Sequence, residues 1–118
     1  MSDKNNDTIF DKIIRKEIPA NIIYEDDIVI AFNDINPQAP THILVIPKKK
    51  TEKFCDLRHL DSVDVGNFIK GVSTVANALN LDDKGYRVVI NCGNDAQQTV
   101  NYIHAHILAG RKMTWPPG

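Results

Sequence analysis

Three histidines stand where their chemistry could combine. In Gln98-Thr99-Val100-Asn101-Tyr102-Ile103-His104-Ala105-His106-Ile107-Leu108, polar and apolar residues alternate, apart from Asn101, at the period of a β-strand. Successive strand side chains point to opposite faces, so His104 and His106 are expected side by side on one face. His42 lies in Pro40-Thr41-His42-Ile43-Leu44-Val45-Ile46, a second segment that reads as a strand. If the two strands share a sheet, three imidazoles converge. A lone histidine is most often structural, but two on one strand face ask for a function.

Three chemistries compete. His-x-His plus a distant histidine can offer zinc three imidazoles and an open fourth position, with Asp34 the acidic residue available to support them. Alternatively, imidazole is neutral near pH 7 and attacks phosphorus well, giving a phosphoramidate labile enough to hydrolyse. The third option is general acid–base catalysis without a covalent intermediate. The preceding loop favours phosphorus. Asn91, Gly93, Asn94, Asp95, Gln98 and Thr99 supply N–H groups, amides and a hydroxyl beside the histidines. Fixed donors of that kind stabilise a phosphoryl-transfer transition state. The lysine-bearing glycine motif of a Walker loop is absent. The residues alone thus point to a phosphate-ester or phosphoramide site, with zinc as the competitor.

The elements that must position these residues can be read from period and punctuation. Thr8 offers an N-cap, with Asp11 at the reciprocal position of a capping box. Ile9, Phe10, Ile13, Ile14 and Ile18 follow at helical spacing, and Pro19 stops the helix. The segments 22–25 and 28–32 flank Asp26-Asp27 as a tight hairpin. Between Leu60 and Leu81 the period is again helical: Val65, Phe68, Ile69, Val72, Val75, Ala76 and Leu79 share a face, interrupted by Gly66 and Gly71. Residues 86–91 read as a strand before the polar loop. Short links between strands, with two helices, predict an antiparallel α+β fold.

Composition sets the outer limits. The chain of 118 residues suits one domain, expected over 8–118 behind a flexible polar tail at 1–7. A formal net charge of -1 argues against a field that would capture nucleic acid, and Lys48-Lys49-Lys50 is expected to be a solvated turn. No stretch is long enough to span a bilayer and no leader is apparent, so the expected location is cytoplasmic or nuclear, with no membrane partner. Cys55 and Cys92 form neither CxxC nor zinc-ligand spacing, and no disulfide framework is apparent.

Several segments, in order, carry a resemblance. They are Asp7-Thr8-Ile9-Phe10 with Ile14-Arg15-Lys16-Glu17-Ile18-Pro19-Ala20, then Asp34-Ile35-Asn36-Pro37-Gln38-Ala39-Pro40-Thr41-His42, Gln98-Thr99-Val100, and Gly110-Arg111-Lys112-Met113-Thr114-Trp115-Pro116-Pro117-Gly118. Over nearly its whole length the chain resembles the histidine triad superfamily. The Trp-Pro-Pro-Gly ending resembles the Hint branch of purine nucleoside phosphoramidases. The resemblance implies a five-stranded antiparallel sheet with two helices, extended across a homodimer. It implies hydrolysis of adenosine or guanosine 5'-monophosphoramidates, with no metal and no cofactor. His104 would be the nucleophile that forms a nucleotidyl-histidine, His106 would contact phosphate oxygens, and His42 would belong to the hydrogen-bond chain orienting them. Asn91 and Thr99 match phosphate contacts, with Val100 a further nucleotide-binding position. Asp34 matches the residue on the ribose hydroxyls, and Phe10, Phe32 and Ile35 match the walls around the base. Trp115 lies in the tail that approaches the partner's site.

One departure matters. Where the family has His-x-His-x-His, this chain has Tyr102-x-His104-x-His106. A tyrosine hydroxyl can join a hydrogen-bond chain but cannot become cationic. If the first histidine only orients its neighbours, Tyr102 is expected to offer its hydroxyl in that place and activity survives. If a proton must be shared there, the chain becomes a nucleotide-binding protein with little catalysis, acting through protein partners. Gln97 also replaces the commoner glycine and is expected to narrow the leaving-group side.

Overall fold

In the computed structural model, which describes residues 6–118, five antiparallel strands form one sheet. The strands are β1 (Ile22–Glu25), β2 (Val29–Asn33), β3 (Thr41–Pro47), β4 (Arg87–Val89) and β5 (Ala105–Ala109), in the order β1-β2-β3-β5-β4. The two helices are α1 (Ile9–Ile14) and α2 (Ser62–Ala78). Of the expected flexible tail, residues 1–5 lie outside the described part. Asp7 is held, its two oxygens 2.8 and 2.7 Å from the Arg15 guanidinium.

The alternation in β3 decides where everything goes. Ile43 and Val45 face α2, while His42, Leu44 and Ile46 face α1. On the α2 side, Val29, Ala31, Ile43, Val45, Ala105 and Ile107 meet Phe68, Val72, Val75 and Ala76 in a dry core. Gly71 lets that helix lie close: a Cβ there would come within 2.6 Å of Val29 Cγ1. On the other side, Phe10 and Ile13 of α1 pack on Ile30, Phe32, Leu44, Ile46 and Tyr102.

Both helices start where their caps say. Thr8 Oγ1 accepts the Phe10 and Asp11 N–H groups while Asp11 Oδ2 accepts the Thr8 N–H at 2.7 Å, a complete capping box. Asp61 caps α2 through the Val63 N–H at 2.8 Å. The first helix is shorter than its apolar stripe implies, because Lys16 turns left-handed (φ 61°) before Ile18. Asp26 closes the hairpin by accepting the Ile28 and Val29 N–H groups at 2.7 and 2.8 Å.

Two further expectations need correction. The strand read over 98–108 is regular only from Ala105, and the one read over 86–91 covers Arg87–Val89. The backbone of 98–103 is drawn elsewhere: Gln98 N–H bonds the Gly93 carbonyl and Ile103 N–H the Thr51 carbonyl. A 3-10 turn over Phe54–His59 was not foreseen; its short apolar spacing carries no helical period.

Candidate functional site

The histidines do converge. β3 and β5 pair so that Leu44 lies opposite His106 and His42 opposite Leu108. His104, one residue before β5, falls on the same side. The ring centroids of His42 and His106 are 5.1 Å apart, as are those of His104 and His106. Phe10 presents its ring edge-on to His104 at 5.1 Å. Phe10 is thus the residue of the six-residue α1 that meets the cluster.

Main-chain groups fix every proton in the cluster. The Gln38 N–H donates to His42 Nδ1 at 3.0 Å, so the His42 proton must sit on Nε2. His42 Nε2 lies 2.9 Å from His106 Nδ1, which therefore accepts, leaving the His106 proton on Nε2. That Nε2–H is buried and has no partner among the described residues. At the other end, His104 Nδ1 lies 2.7 Å from the Tyr102 carbonyl, which can only accept. His104 thus carries its proton on Nδ1 and a lone pair on Nε2. The Gln38 peptide is itself held: Arg111 Nη2 donates to its carbonyl at 3.2 Å. Gly110 (φ 92°) makes room for neighbouring Pro40, since a Cβ there would meet Pro40 Cβ at 2.8 Å.

Burial favours the neutral forms of His106 and His104. It is the main cause pulling His106 down to about 4, reinforced by the neighbouring His104 and His42. His104 is also lowered, by burial, against the opposing effects of its bond to the Tyr102 carbonyl and of Asp34.

Tyr102 does not take the place expected for it. Its side chain is 1% exposed, packed at a ring separation of 6.1 Å from Phe10, and its hydroxyl donates to the Pro47 carbonyl. Burial pushes the phenol above its ordinary range. The alternation that puts His104 and His106 on the strand face fails at residue 102, where the chain is irregular. The side chain therefore enters the core, and only the backbone carbonyl reaches the histidines.

The other candidate residues spread around the cluster. Asp34 Oδ1 accepts the Asn36 N–H at 2.8 Å and Oδ2 lies 3.4 Å from His42 Nε2. Phe10 and Phe32 are core residues, 5% and 4% exposed, whereas Ile35 is 99% exposed. Asn91 and Val100 are half-buried and Thr99 is exposed. Thr99 and Val100 line a polar groove of about 350 Å³ shared with Thr8 and Glu52. Trp115 is 81% exposed, with the Arg87 guanidinium 5.8 Å from its ring centroid, and does not touch the histidines.

Sequence reasoning missed how the loop is held. Gln98, 8% exposed, accepts the Gly93 N–H at 3.0 Å and donates to the Glu52 and Val100 carbonyls at 2.7 and 3.0 Å. A glutamine before a threonine carries no signal of this. The Gln38 peptide was equally hidden, although two flanking prolines mark a stiff loop.

A metal is the competing use of these residues. Asp34, His42 and His106 offer one ligand atom each within 4.8 Å of one another. Tetrahedral zinc would hold two nitrogens about 3.3 Å apart. Here they stand 2.9 Å apart across a shared proton, and the Gln38 N–H keeps that proton on the ligating atom. As arranged, the pair is a hydrogen bond and does not fit a metal.

Comparison with known proteins agrees with this geometry. A model of the HIT domain matches residues 15–113. A 14 kDa zinc-binding protein of Zea mays is 52% identical over 115 residues, spanning 94% of this chain and 88% of that protein. Adenylylsulfatase HINT1 of Arabidopsis thaliana is 46% identical over 115 residues, covering 94% and 76% of the two chains. The crystal structure of a HIT family hydrolase from Legionella pneumophila superposes with a TM-score of 0.88 at 45% identity, over 95% of this chain and all of that one. With its sheet order, histidine cluster and family match in agreement, the chain belongs to the HIT family.

Proposed function

We propose that the protein hydrolyses purine nucleoside 5'-monophosphoramidates through a nucleotidyl intermediate on His104. The observation that carries this reading is the His104–Tyr102 carbonyl bond, which commits the His104 proton to Nδ1 and leaves Nε2 as a nucleophile. In the first step Nε2 attacks the α-phosphorus, forming a P–N bond to the imidazole. The P–N bond to the amine breaks, and the amine leaves with a proton taken from solvent. Water then attacks the same phosphorus, the P–N bond to His104 breaks with its electron pair returning to Nε2, and the water's proton passes to solvent as the nucleoside monophosphate departs.

His106 has a different task. Its Nε2–H is a buried donor without an acceptor, a state that costs about 1–3 kcal/mol and that a phosphoryl oxygen would relieve. The donor is backed by His42 and the Gln38 N–H, so its direction is set before substrate arrives. In this reading Asn91, Thr99 and Val100 line the phosphate side, Asp34 takes the ribose, and Phe10, Phe32 and Ile35 bound the base. Trp115 reaches toward a partner protomer.

The test is amine release from an adenosine 5'-phosphoramidate. The native chain should turn over, and His104→Ala should not. A second reading has one specific observation behind it: the Tyr102 hydroxyl is spent on Pro47 and adds nothing to the proton chain. If the native chain binds AMP without turnover, it is a nucleotide-binding protein instead. Turnover gained in Tyr102→His would then assign the missing step to that position.

A further inference from the structure

Lys48, Lys49 and Lys50, which follow β3, do different things. Lys48 pairs with Glu25 at 2.8 Å, and Lys49, its side chain 73% exposed, pairs with Asp64 of α2 at 2.6 Å. Lys50 turns inward, its side chain 28% exposed, and departs from the solvated turn expected of the run. Its Nζ donates to Asp11 Oδ2 at 2.9 Å and to the Asn6 carbonyl at 2.6 Å. The same ammonium stands 5.7 Å from the centroid of the Tyr102 ring, within cation–π range. The main chain at its base is fixed as well, because the Thr51 carbonyl accepts the Ile103 N–H at 2.7 Å.

The contacts with Asp11 and with Tyr102 both lead to His104. Asp11 Oδ2 also accepts the Thr8 N–H and hydroxyl at 2.7 and 2.8 Å, and Thr8 Oγ1 accepts the N–H groups of Phe10 and Asp11 at 3.2 Å. Lys50 thus closes the first turn of α1, from which Phe10 reaches the His104 ring at 5.1 Å. Tyr102 is the other neighbour: its carbonyl lies 2.7 Å from His104 Nδ1, and its ring is 6.1 Å from that of Phe10. One ammonium therefore bears on both aromatic residues that hold His104. A helix of six residues is marginal by itself, so a charge-assisted bond at its first turn bears directly on where Phe10 sits.

We propose that Lys50 is a positioning residue for His104, its ammonium bracing the first turn of α1 against the Tyr102 ring so that Phe10 stays closed on the imidazole. The proposal rests on the reading of His104 as the nucleophile. The Tyr102 carbonyl sets which nitrogen of His104 carries the proton, and Lys50 keeps the ring from shifting about that bond. A nucleophile displaced by about 1 Å forms its bond to phosphorus more slowly, while the binding of substrate is little changed. The charge of the side chain matters more than its bulk. Methionine would keep the apolar stem and lose both the bond to Asp11 and the attraction to Tyr102, whereas arginine would keep a cation in that place.

The experiment compares the native full-length chain with Lys50→Met, Lys50→Arg and Lys49→Met in two assays. In the first, turnover of an adenosine 5'-phosphoramidate gives kcat and KM. Lys50→Met should lower kcat about tenfold and leave KM within about twofold, Lys50→Arg should stay within about threefold of native, and Lys49→Met should match it. In the second, diethyl pyrocarbonate acylates the imidazoles, and peptide mass gives the rate at His104 relative to exposed His59. Lys50→Met should raise that relative rate about threefold or more, and Lys50→Arg should return it toward the native value. A loss carried by KM, an equal loss in Lys50→Arg, or the same loss in Lys49→Met would each overturn the proposal, as would a native acylation rate in Lys50→Met. Acylation does not depend on turnover. If the native chain releases no amine, the nucleophile reading fails, and the His104 rate still decides whether Lys50 positions the ring.

Discussion

The two faces of the sheet are built from the same strands but do opposite things. Toward α2, a 17-residue helix packs Phe68, Val72, Val75 and Ala76 on an apolar cluster of the sheet. Toward α1, a six-residue helix packs Phe10 and Ile13 on the sheet, and the same face holds His42, His104 and His106, the first two buried. Strand alternation alone would allow two equal cores. The difference lies in the side chains the strands present, Ile43, Val45 and Ile107 on the α2 face and His42 and His106 on the α1 face. One face supplies stability, and the clustered imidazoles on the other make a site.

Removing the nucleophile should separate these roles most sharply. His104→Ala should lower phosphoramidate turnover at least about 1,000-fold while costing roughly 1 kcal/mol of stability, read by steady-state kinetics and urea denaturation. A variant that loses both together would erase the distinction between the faces.

Acid should act on the histidine face before it reaches the rest. His106 has a pKa of about 4 in the fold and about 6.5 unfolded, so between those values the unfolded chain binds more protons. Its contribution to stability is therefore complete above pH 6.5 and lost as pH falls toward 4, by at most about 3 kcal/mol. Denaturation midpoints at pH 7 and 4.5 should show this slope, and His106→Asn should remove much of it. For the same reason the acid limb of kcat/KM should lie below the ordinary histidine range, because protonated His104 has no lone pair.

Gly71→Ala tests the other face. The added methyl meets Val29, which is fully buried, and should cost about 1–3 kcal/mol in urea denaturation without changing turnover of the folded fraction. The smallest effect is expected at their seam. Tyr102→Phe loses the hydroxyl bond to Pro47, about 1–2 kcal/mol, but keeps the carbonyl on His104, so activity should stay within about threefold.

Much of this contrast was legible in the sequence, for identifiable reasons. The period of two in β3 and the capping residue Thr8 are local signals, and the structure follows them, whereas the Asp61 cap of α2 was not read. The stripe through Phe68, Val72, Val75 and Ala76 correctly gave the buried face of α2, with Ile69 left on its flank at 46% exposure. What failed depended on distant partners. Gln98 and Ile103 bond to residues 51–52, which no spacing near residue 100 reveals, so the strand was read too long. The same detour sends the Tyr102 side chain into the core instead of toward His42.

The proton arrangement of the cluster is anchored at both ends by peptide groups, the Gln38 N–H and the Tyr102 C=O. A peptide group survives any ordinary change of side chain at its position. The direction in which the histidines donate is thus indifferent to what residue 102 carries, and a tyrosine there leaves the polarity of the site intact. At the other anchor only proline, which has no N–H, could reverse it. The electrical sense of this site is a property of the main chain's path, and the side chains inherit it.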